Sequence, residues 1–409
     1  MASAPTRDRI HFLFLNVGHF LDHLLTLVFA TVAALALTRE WGLSYSALIP
    51  YATPGFVAFG VFALPAGWLA DKWSREGMMA VFFVGIGLAS IATGVARTPF
   101  EVGLGLFVIG VFAAIYHPVG LALLVERASK TGTGMAIGIN GVWGNLGVAS
   151  AALITGFFID NGGWRLAFLV PGFVSVLIGL GYIWLFRADM RPAQASTRNK
   201  SNVGSAPLTP DLRSLLIKLS AIIFFTTAVS GIVFQSTTFA LPKVFDERLT
   251  GIAGSATLIG WLAFLVFAVA SIAQIIVGRL LDKLGPRTVF LGAALIQVVF
   301  FSLMPGLVDW AALFVALAFM LGAFGQIPIN DYMIGKLARS DMRASIYGVR
   351  YIVSFAVLAA ALPLIAWIHQ GCGFDRLFQV LAVAAGAIFA AVWLLPRRLP
   401  DPEPVPATA

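Results

Sequence analysis

Between two long apolar runs stands a short charged turn, Gly67-Trp68-Leu69-Ala70-Asp71-Lys72-Trp73-Ser74-Arg75. The turn returns in altered form later in the chain as Gly278-Arg279-Leu280-Leu281-Asp282-Lys283-Leu284-Gly285-Pro286-Arg287. The offset is 211 residues for three pairs, namely Gly67 with Gly278, Asp71 with Asp282, and Lys72 with Lys283. A repeat at about half the length of the chain predicts two related halves.

The composition around this repeat is that of a membrane protein. Of the 409 residues, 59% are hydrophobic and only 11% are charged. A soluble protein usually has about 25% charged residues, because it must cover its surface with polar side chains. This chain cannot do so, and its apolar runs are long enough to cross a bilayer. We therefore predict an all-α fold, since a span in lipid must satisfy its own backbone hydrogen bonds.

Twelve apolar segments of spanning length can be counted, which predicts twelve transmembrane helices in two pseudo-symmetric six-helix bundles. The predicted spans are 10–37, 46–70, 77–97, 101–124, 134–159, 165–186, 214–241, 253–281, 287–305, 310–335, 344–369 and 374–395. Residues 1–186 form the first bundle and residues 214–395 form the second. A polar segment, 187–213, is predicted to be a cytoplasmic linker, and the proline-rich tail 396–409 is predicted to be disordered.

The basic residues predict the orientation of the chain. With the N-terminus in the cytoplasm, 21 of the 27 Lys and Arg residues lie on the inside and 6 on the outside. Such a bias places both termini in the cytoplasm of a multi-pass protein, here expected in a bacterial inner membrane. The net charge of +8 is spread over these loops, which argues against nucleic-acid binding. A single cysteine, Cys372, excludes an intrachain disulfide.

The turn at 67–75 resembles the signature of the major facilitator superfamily, which stands between its second and third helices. The second turn, 278–287, has the matching position between the eighth and ninth spans. The resemblance covers about residues 10–395 and implies transport by alternating access. It also implies that the two turns and a nearby acid help to gate the cytoplasmic side. The gating residues are Gly67, Asp71, Lys72, Arg75, Gly278, Asp282, Lys283, Arg287 and Asp331.

Two further motifs resemble the fosmidomycin-resistance-type branch of that superfamily, which contains efflux proteins. They are Gly18-His19-Phe20-Leu21-Asp22 in the first span and Tyr116-His117-Pro118-Val119-Gly120 in the fourth. This resemblance implies export of a small organic anion or antibiotic. Leu106 stands near the position where many drug–proton antiporters carry an arginine. Import or uniport of a metabolite therefore stays open as an alternative, as does a membrane sensor or scaffold that transports nothing.

Ionisable residues inside the first span predict a proton-coupling site. Helical spacing places Asn16, His19, Asp22, His23 and Thr26 on one broad face. An ionised Asp facing lipid would cost about 2.5–3.5 kcal/mol, so this face must turn towards the bundle interior or a wet cavity. Histidine exchanges protons near neutral pH, and we therefore assign proton coupling to Asp22, His19 and His23. The alternative is a hydrogen-bonded cluster that only fixes helix packing.

His19 and His23 also have the i, i+4 spacing of metal ligands. With Asp22 between them the pattern favours a proton relay, and we predict no metal site. We found neither a P-loop nor an enzyme constellation, so we predict no enzyme activity, no ATP use and no cofactor. The expected partners are a small-molecule substrate, protons and the lipid bilayer, with the chain acting as a monomer.

Substrate binding is predicted in both halves. Arg350 is the candidate for an anionic group, because guanidinium matches the geometry of carboxylate and phosphonate. An ion pair between Arg350 and Asp331 that merely joins two helices is the alternative. His117 lies next to Pro118, whose missing N–H frees a backbone carbonyl. The full set of predicted binding residues is Arg350, His117, Asn16, Gln326, Asn330, Asn140 and Tyr347. His11 and His369 lie near span ends and are predicted to be interfacial.

Overall fold

A computed structural model describes residues 4–128, 133–190, 210–337 and 343–396, and within these ranges the chain is helical with no strand. The first half contains α1 (Ala4–Val32), α2 (Thr53–Lys72), α3 (Arg75–Gly94), α4 (Pro99–Ala113), α5 (Thr133–Gly162) and α6 (Arg165–Phe186). The second half contains α7 (Pro210–Arg248), α8 (Ala256–Leu284), α9 (Pro286–Leu303), α10 (Asp309–Leu337) and a final helical run, Arg343–Trp393.

The final run contains two predicted spans. Gly373 has φ 69° and ψ −171° within it, a backbone conformation outside the helical region that glycine tolerates well. It divides the run into α11 (343–372) and α12 (374–393). Eleven helices in the described ranges are long and apolar enough to cross a membrane, and the last of them, Ala356–Trp393, includes this break. The fold is therefore the predicted twelve-helix membrane fold.

Several helices continue beyond their regular part through short turns. A π-helical turn, Ala33–Leu37, extends α1 to Glu40, and the turns Tyr45–Leu48 and Ile49–Ala52 lead into α2. Another π-helical turn, Tyr116–Gly120, joins α4 to the short helix Leu121–Ala128. The predicted spans agree with the helices to within a few residues, with two exceptions. Helix α1 begins six residues before the predicted 10–37, and α7 ends seven residues after the predicted 214–241.

Caps fix where helices begin at the charged turns. Ser74 precedes α3, and its hydroxyl accepts a hydrogen bond from the Gly77 N–H at 3.0 Å. Asp71 lies in the last turn of α2. Asp71 therefore stands at the C-terminal end of a helix, where the helix dipole does not favour a carboxylate. The side chain of Arg75 compensates this by contacting Asp71 Oδ1 at 2.8 Å.

We call the end of the bundle that carries residues 71–75 and 282–287 the basic end, and the other the opposite end. The hydrogen bonds and ion pairs between described side chains or backbone groups of the two halves lie at the opposite end. There Asp160 of α5 binds the first turn of α8, Ser46 binds His369 of α11, and Arg39 pairs with Asp246 of α7. Most of linker 187–213 and tail 396–409 lies outside the described residues.

Candidate functional site

Three histidines converge near the middle of the first half, and we call them the histidine cluster: His19, His23 and His117. One ring nitrogen of each lies within 4.8 Å of one ring nitrogen of the other two. The ring centroids are 5.0 Å apart for His19 and His23, and 5.3 Å for His19 and His117. The first two rings come from successive turns of α1, as their spacing predicts. His117 comes from the π-helical turn after α4.

Asp22 supplies the carboxylate of this site. Its side chain is fully buried, and Oδ2 lies 3.5 Å from His117 Nε2. Neither carboxylate oxygen has a hydrogen-bond partner among the described residues. Because a buried carboxylate is costly unless it is paired, the fourth-span histidine is the group that can offset its charge. The predicted polar face of α1 thus turns into the bundle and not towards lipid.

Asn140 of α5 holds α1 and the start of the π-helical turn together. Its side-chain amide donates to Asn16 Oδ1 at 3.0 Å and to the Tyr116 hydroxyl at 2.9 Å. Its backbone carbonyl lies 2.8 Å from His19 Nδ1. A carbonyl can only accept, so this contact places the His19 proton on Nδ1 and leaves the Nε2 lone pair available. Asn16 and Asn140, predicted as substrate ligands, are here buried partners of each other.

Tyr116 is a residue of the site that sequence reasoning did not select. It is 1% exposed, its hydroxyl donates to the Leu15 carbonyl at 2.7 Å, and its ring stacks on His19 with centroids 4.9 Å apart. The sequence signal for it was its position beside His117 and Pro118. A π-helical turn inserts an extra residue into a helix and is frequent at functional sites. Here the turn brings both Tyr116 and His117 to α1.

An apolar recess lies beside the histidine cluster. It is a shallow, partly open recess, and Thr26, Phe56 and Phe59 are among its lining residues. The Phe59 ring contacts His117 with centroids 5.8 Å apart. The Thr26 hydroxyl is already used within α1, because it donates to the Asp22 carbonyl at 2.8 Å. The recess therefore offers apolar contact next to ionisable groups.

The predicted binding residues of α10, Gln326 and Asn330, lie inside the second half, apart from the histidine cluster. Gln326 is 2% exposed and donates to Gln297 Oε1 of α9 at 3.0 Å, while its own Oε1 has no hydrogen-bond partner among the described residues. Asn330 is 5% exposed and lies 3.5 Å from the hydroxyl of Thr226 in α7. No hydrogen bond within the described part of the chain joins these amides to the histidine cluster.

Two predicted binding residues cannot be placed in this way. Arg350 and Tyr347 belong to the helical run of α11, but their side chains lie outside the described residues. Asp331 is in α10 and is partly buried. The choice between an anion-binding Arg350 and an ion pair with Asp331 stays a prediction.

The predicted gating residues lie at the basic end. Arg75 contacts both Asp71 and Glu126, at 2.8 Å and 2.9 Å, so it joins α2 to the helix after α4 within the first half. Lys72 lies over the Trp68 ring at 5.9 Å. Arg287 donates to the Trp393 carbonyl at 2.8 Å.

A Cβ on Gly67 would approach Pro118, whereas one on Gly278 would meet nothing within 4 Å. The two glycines of the repeat therefore have different surroundings, and Asp282 and Lys283 lie in the last turn of α8.

Of the two remaining histidines, only His11 contradicts the prediction of an interfacial position. His11 is not interfacial: it is fully buried, and its Nε2 lies 3.0 Å from the Tyr182 hydroxyl of α6. The polar partner on a distant helix is the physical reason that this ring can enter the core. His369 lies between the halves at the opposite end, with Nδ1 2.9 Å from Ser46 Oγ and Nε2 3.2 Å from Glu247 Oε1.

Known proteins share both the sequence pattern and the fold. The chain is 23% identical over 388 residues to a gallate transporter of Pseudomonas putida, covering 87% of this chain and 85% of that one. It is 22% identical to the multidrug resistance protein MdtG of Escherichia coli, with 84% and 83% covered. A crystal structure of the peptide transporter POT in complex with sulfate has the same fold, with TM-score 0.72 at 16% identity, covering 94% and 93%.

The sequence profile that matches this chain covers nearly all of it, in two overlapping parts, residues 15–253 and 223–409. The matched residues include both charged turns and both halves. One relative is named a transporter and the other a multidrug resistance protein, and each match covers more than four fifths of both chains. The chain is a membrane transporter and not an enzyme. It belongs to the Major Facilitator Superfamily.

Proposed function

We propose that the chain is a proton-coupled secondary transporter that exports a small organic anion or an anionic antibiotic by alternating access. The observation that supports this most is the buried carboxylate of Asp22, which contacts His117 and lies beside His19 and His23. In this proposal Asp22, His19 and His23 take up and release the coupling proton. An ionisable residue within a membrane span is costly and is most often functional.

The proton gradient can supply the energy for such a cycle. The membrane potential alone contributes about 2.3 kcal/mol per charge per 100 mV. Protonation of Asp22 removes its negative charge and with it the attraction to His117, which comes from a different helix. A change in that contact alters how α1 packs against the π-helical turn. This is how a proton at the cluster could bias the two conformations of the cycle.

The substrate class is argued from charge and from relatives. Gallate, named by one relative, is an aromatic carboxylate, and the other relative is named for resistance to drugs. Arg350 is proposed to bind the anionic group, with His117, Tyr347, Asn16, Asn140, Gln326 and Asn330 around the path. The apolar recess at Phe56 and Phe59 would hold an apolar part of the solute.

The gate is proposed to act at both ends. With the basic end in the cytoplasm, as the charge bias predicts, the contacts at Asp160, Ser46 and Arg39 close the chain towards the outside. On transport they would break, and the turns at 67–75 and 278–287 would come together to close the cytoplasmic side. Import is the second candidate, and it is favoured by the gallate transporter among the relatives.

The test is substrate-driven proton movement in proteoliposomes with a trapped pH-sensitive dye. Gallate and fosmidomycin serve as carboxylate and phosphonate probes. Export by antiport predicts that a probe gradient moves protons in the opposite direction, whereas symport moves both in the same direction and supports import. Uniport moves the probe without protons and would contradict the proposal.

The variant that tests the proton site is Asp22→Asn, which keeps the shape of the side chain and removes its charge. We expect probe exchange to continue while probe-driven proton movement is lost. Asp8→Asn is the matched control, because Asp8 is an exposed carboxylate on the same helix that pairs with Arg127. If Asp22→Asn moves the probe with the pH dependence of the unmodified protein, the role given to Asp22 is wrong.

A further inference from the structure

We propose that the histidine cluster binds one divalent transition-metal ion of the Zn²⁺ class. His19, His23 and His117 each offer one ring nitrogen, and these nitrogens lie within 4.8 Å of one another. Two ligands at i and i+4 on one helix with a third from a neighbouring element is a common arrangement of zinc ligands. The pair on α1 alone did not indicate a metal site, and it is His117, 94 residues further along the chain than His23, that completes the set.

The distances require only a small contraction. At a Zn–N distance of about 2.0–2.1 Å, tetrahedral ligand nitrogens lie about 3.4 Å apart. Ring nitrogens at the 4.8 Å limit must therefore approach one another by about 1.4 Å, which side-chain rotations provide. All three histidines are partly exposed residues. Three protein ligands leave the fourth position of a tetrahedral ion open to water.

A hydrogen bond already orients one of the ligands, and a carboxylate lies close to a second. The Asn140 carbonyl accepts from His19 Nδ1 at 2.8 Å, which turns the Nε2 lone pair of that ring towards a ligand. The Asp22 carboxylate lies 3.5 Å from His117 Nε2, which leaves Nδ1 of that ring for the ion. Carbonyl and carboxylate partners of this kind are what hold metal-binding histidines in place.

The charge at Asp22 is a second, independent argument. Its carboxylate is fully buried and has no hydrogen-bond partner in the described ranges. A cation held by the three imidazoles would place two positive charges close to it and offset the cost of burying it. An apolar or purely structural cluster would not need a carboxylate here.

The ligand chemistry decides which cations are accepted. Neutral imidazole suits Zn²⁺, Cu²⁺ and Ni²⁺, whereas Mg²⁺ and Ca²⁺ prefer oxygen ligands. The inference does not rest on the direction of transport or on the substrate. Where the proposed proton coupling also holds, the ion and the coupling proton would compete for the same lone pairs, so Zn²⁺ would inhibit transport.

Binding is measured by calorimetry on the full chain, purified in detergent without an affinity tag that contains histidine and freed of metal with a chelator. We expect one Zn²⁺ to bind per chain, and we expect no heat of binding when Mg²⁺ or Ca²⁺ is added instead. Each of His19→Gln, His23→Gln and His117→Gln should lower the affinity by at least about tenfold, and Asp22→Asn should lower it by about tenfold. His11→Gln and His369→Gln are the matched controls, because these are the other two of the five histidines, and they should leave the affinity unchanged.

A spectroscopic measurement keeps the proposal testable if a variant unfolds. Co²⁺ added to the unmodified protein should give the intense visible absorption of a four-coordinate ion, and Zn²⁺ should abolish it. Three results would overturn the inference: a six-coordinate Co²⁺ spectrum, Zn²⁺ binding that a folded triple histidine variant retains, or equal losses in the two control variants. Because the assay uses no gradient and no substrate, a failure of proton-coupled transport would leave its outcome unaffected.

Discussion

At the scale of single residues, the central fact is a carboxylate buried without a hydrogen bond. Asp22 is 0% exposed, and its one ionisable ion-pair contact in the described structure is His117, 28% exposed at its side chain. Removing one partner of a buried ion pair lowers the stability of the fold more than removing both partners, because the remaining charge is then uncompensated. Asp22 and His117 should therefore be substituted together as well as singly when their roles are separated.

Small residues around the histidine cluster set the position of its rings. A Cβ on Gly144 of α5 would lie 2.6 Å from His19 Cε1 and Nε2, which is too close for a normal contact. Gly144→Ala should therefore push the His19 ring away from the Asn140 carbonyl. We expect a cost of about 1–3 kcal/mol from overpacking, measured as a lower thermal unfolding temperature. The rate of probe-driven proton movement should fall by at least about tenfold.

The control for this prediction is on the same helix. A Cβ on Gly138 would meet nothing within 4 Å, so Gly138→Ala should leave both measurements unchanged apart from a small gain in helix propensity. Equal effects of the two alanine variants would mean that the backbone of α5, and not the space for His19, is what matters.

At the scale of elements, the π-helical turn Tyr116–Gly120 decides where α4 meets α1. Pro118 has no N–H to donate, so the regular ladder of α4 cannot continue unchanged through it. The extra residue in the turn presents Tyr116 and His117 in succession to the same neighbour, with the Tyr116 hydroxyl bound to the Leu15 carbonyl. A regular α-helix would direct two successive side chains about 100° apart.

The N-terminus of α8 is capped by both halves of the chain. Ser255 accepts from the Leu258 N–H at 3.1 Å within its own half. Asp160 of α5 accepts from the Thr257 N–H at 2.7 Å and lies 2.6 Å from the Thr257 hydroxyl. The second cap joins α5 to α8 across the boundary between the halves, so it contributes to closure as well as to helix stability.

These two caps give a matched pair of variants. Asp160→Ala and Ser255→Ala should each lower the stability by about 0.5–2 kcal/mol in thermal unfolding, because each removes a cap. Only Asp160→Ala should also open the opposite end, which is measured by thiol labelling of Ser46→Cys in a Cys372→Ser background, because Ser46 is buried at that end against His369. Equal labelling of the two variants would show that Asp160 stabilises α8 and does not hold the halves together.

At the scale of the whole molecule, the two halves are held together at one end. Ser46 and His369 meet there at 2.9 Å, and the Tyr45 and His369 rings lie 5.4 Å apart. Arg248 contacts Asp375 near the same end and joins α7 to α12 within the second half. Alternating access requires contacts between the halves to break while contacts within each half persist.

A cross-link at this end tests that requirement. Ser46→Cys with His369→Cys, joined by a short thiol-reactive reagent in a Cys372→Ser background, should abolish transport of gallate or fosmidomycin across proteoliposomes. A reducible reagent should restore it on addition of dithiothreitol. His369→Cys alone with the same reagent is the control and should keep its activity. Full transport by the cross-linked pair would mean that this end need not open.

The fold was predictable because its signals are local in sequence. Three features can be read directly from the residues: the length of the apolar runs, the charged turns, and the repeat of Asp71 at Asp282. Together they predicted twelve spans and their approximate bounds. The break at Gly373 separates the last two spans where the sequence predicted a gap between 369 and 374. The inward-turned face of α1 was also predictable, since lipid penalises Asp22.

The membrane class, the two halves and the ionisable face of the first helix therefore follow from residue order and composition. The folded chain was needed to find that His117 joins His19 and His23, that Tyr116 stacks on His19, and that Asn140 binds Asn16. It also placed Gln326 against Gln297, away from this site. The physical reason is that apolar length and charge fix which segments cross the membrane, whereas the rotation of each helix depends on side-chain packing between residues far apart in the chain.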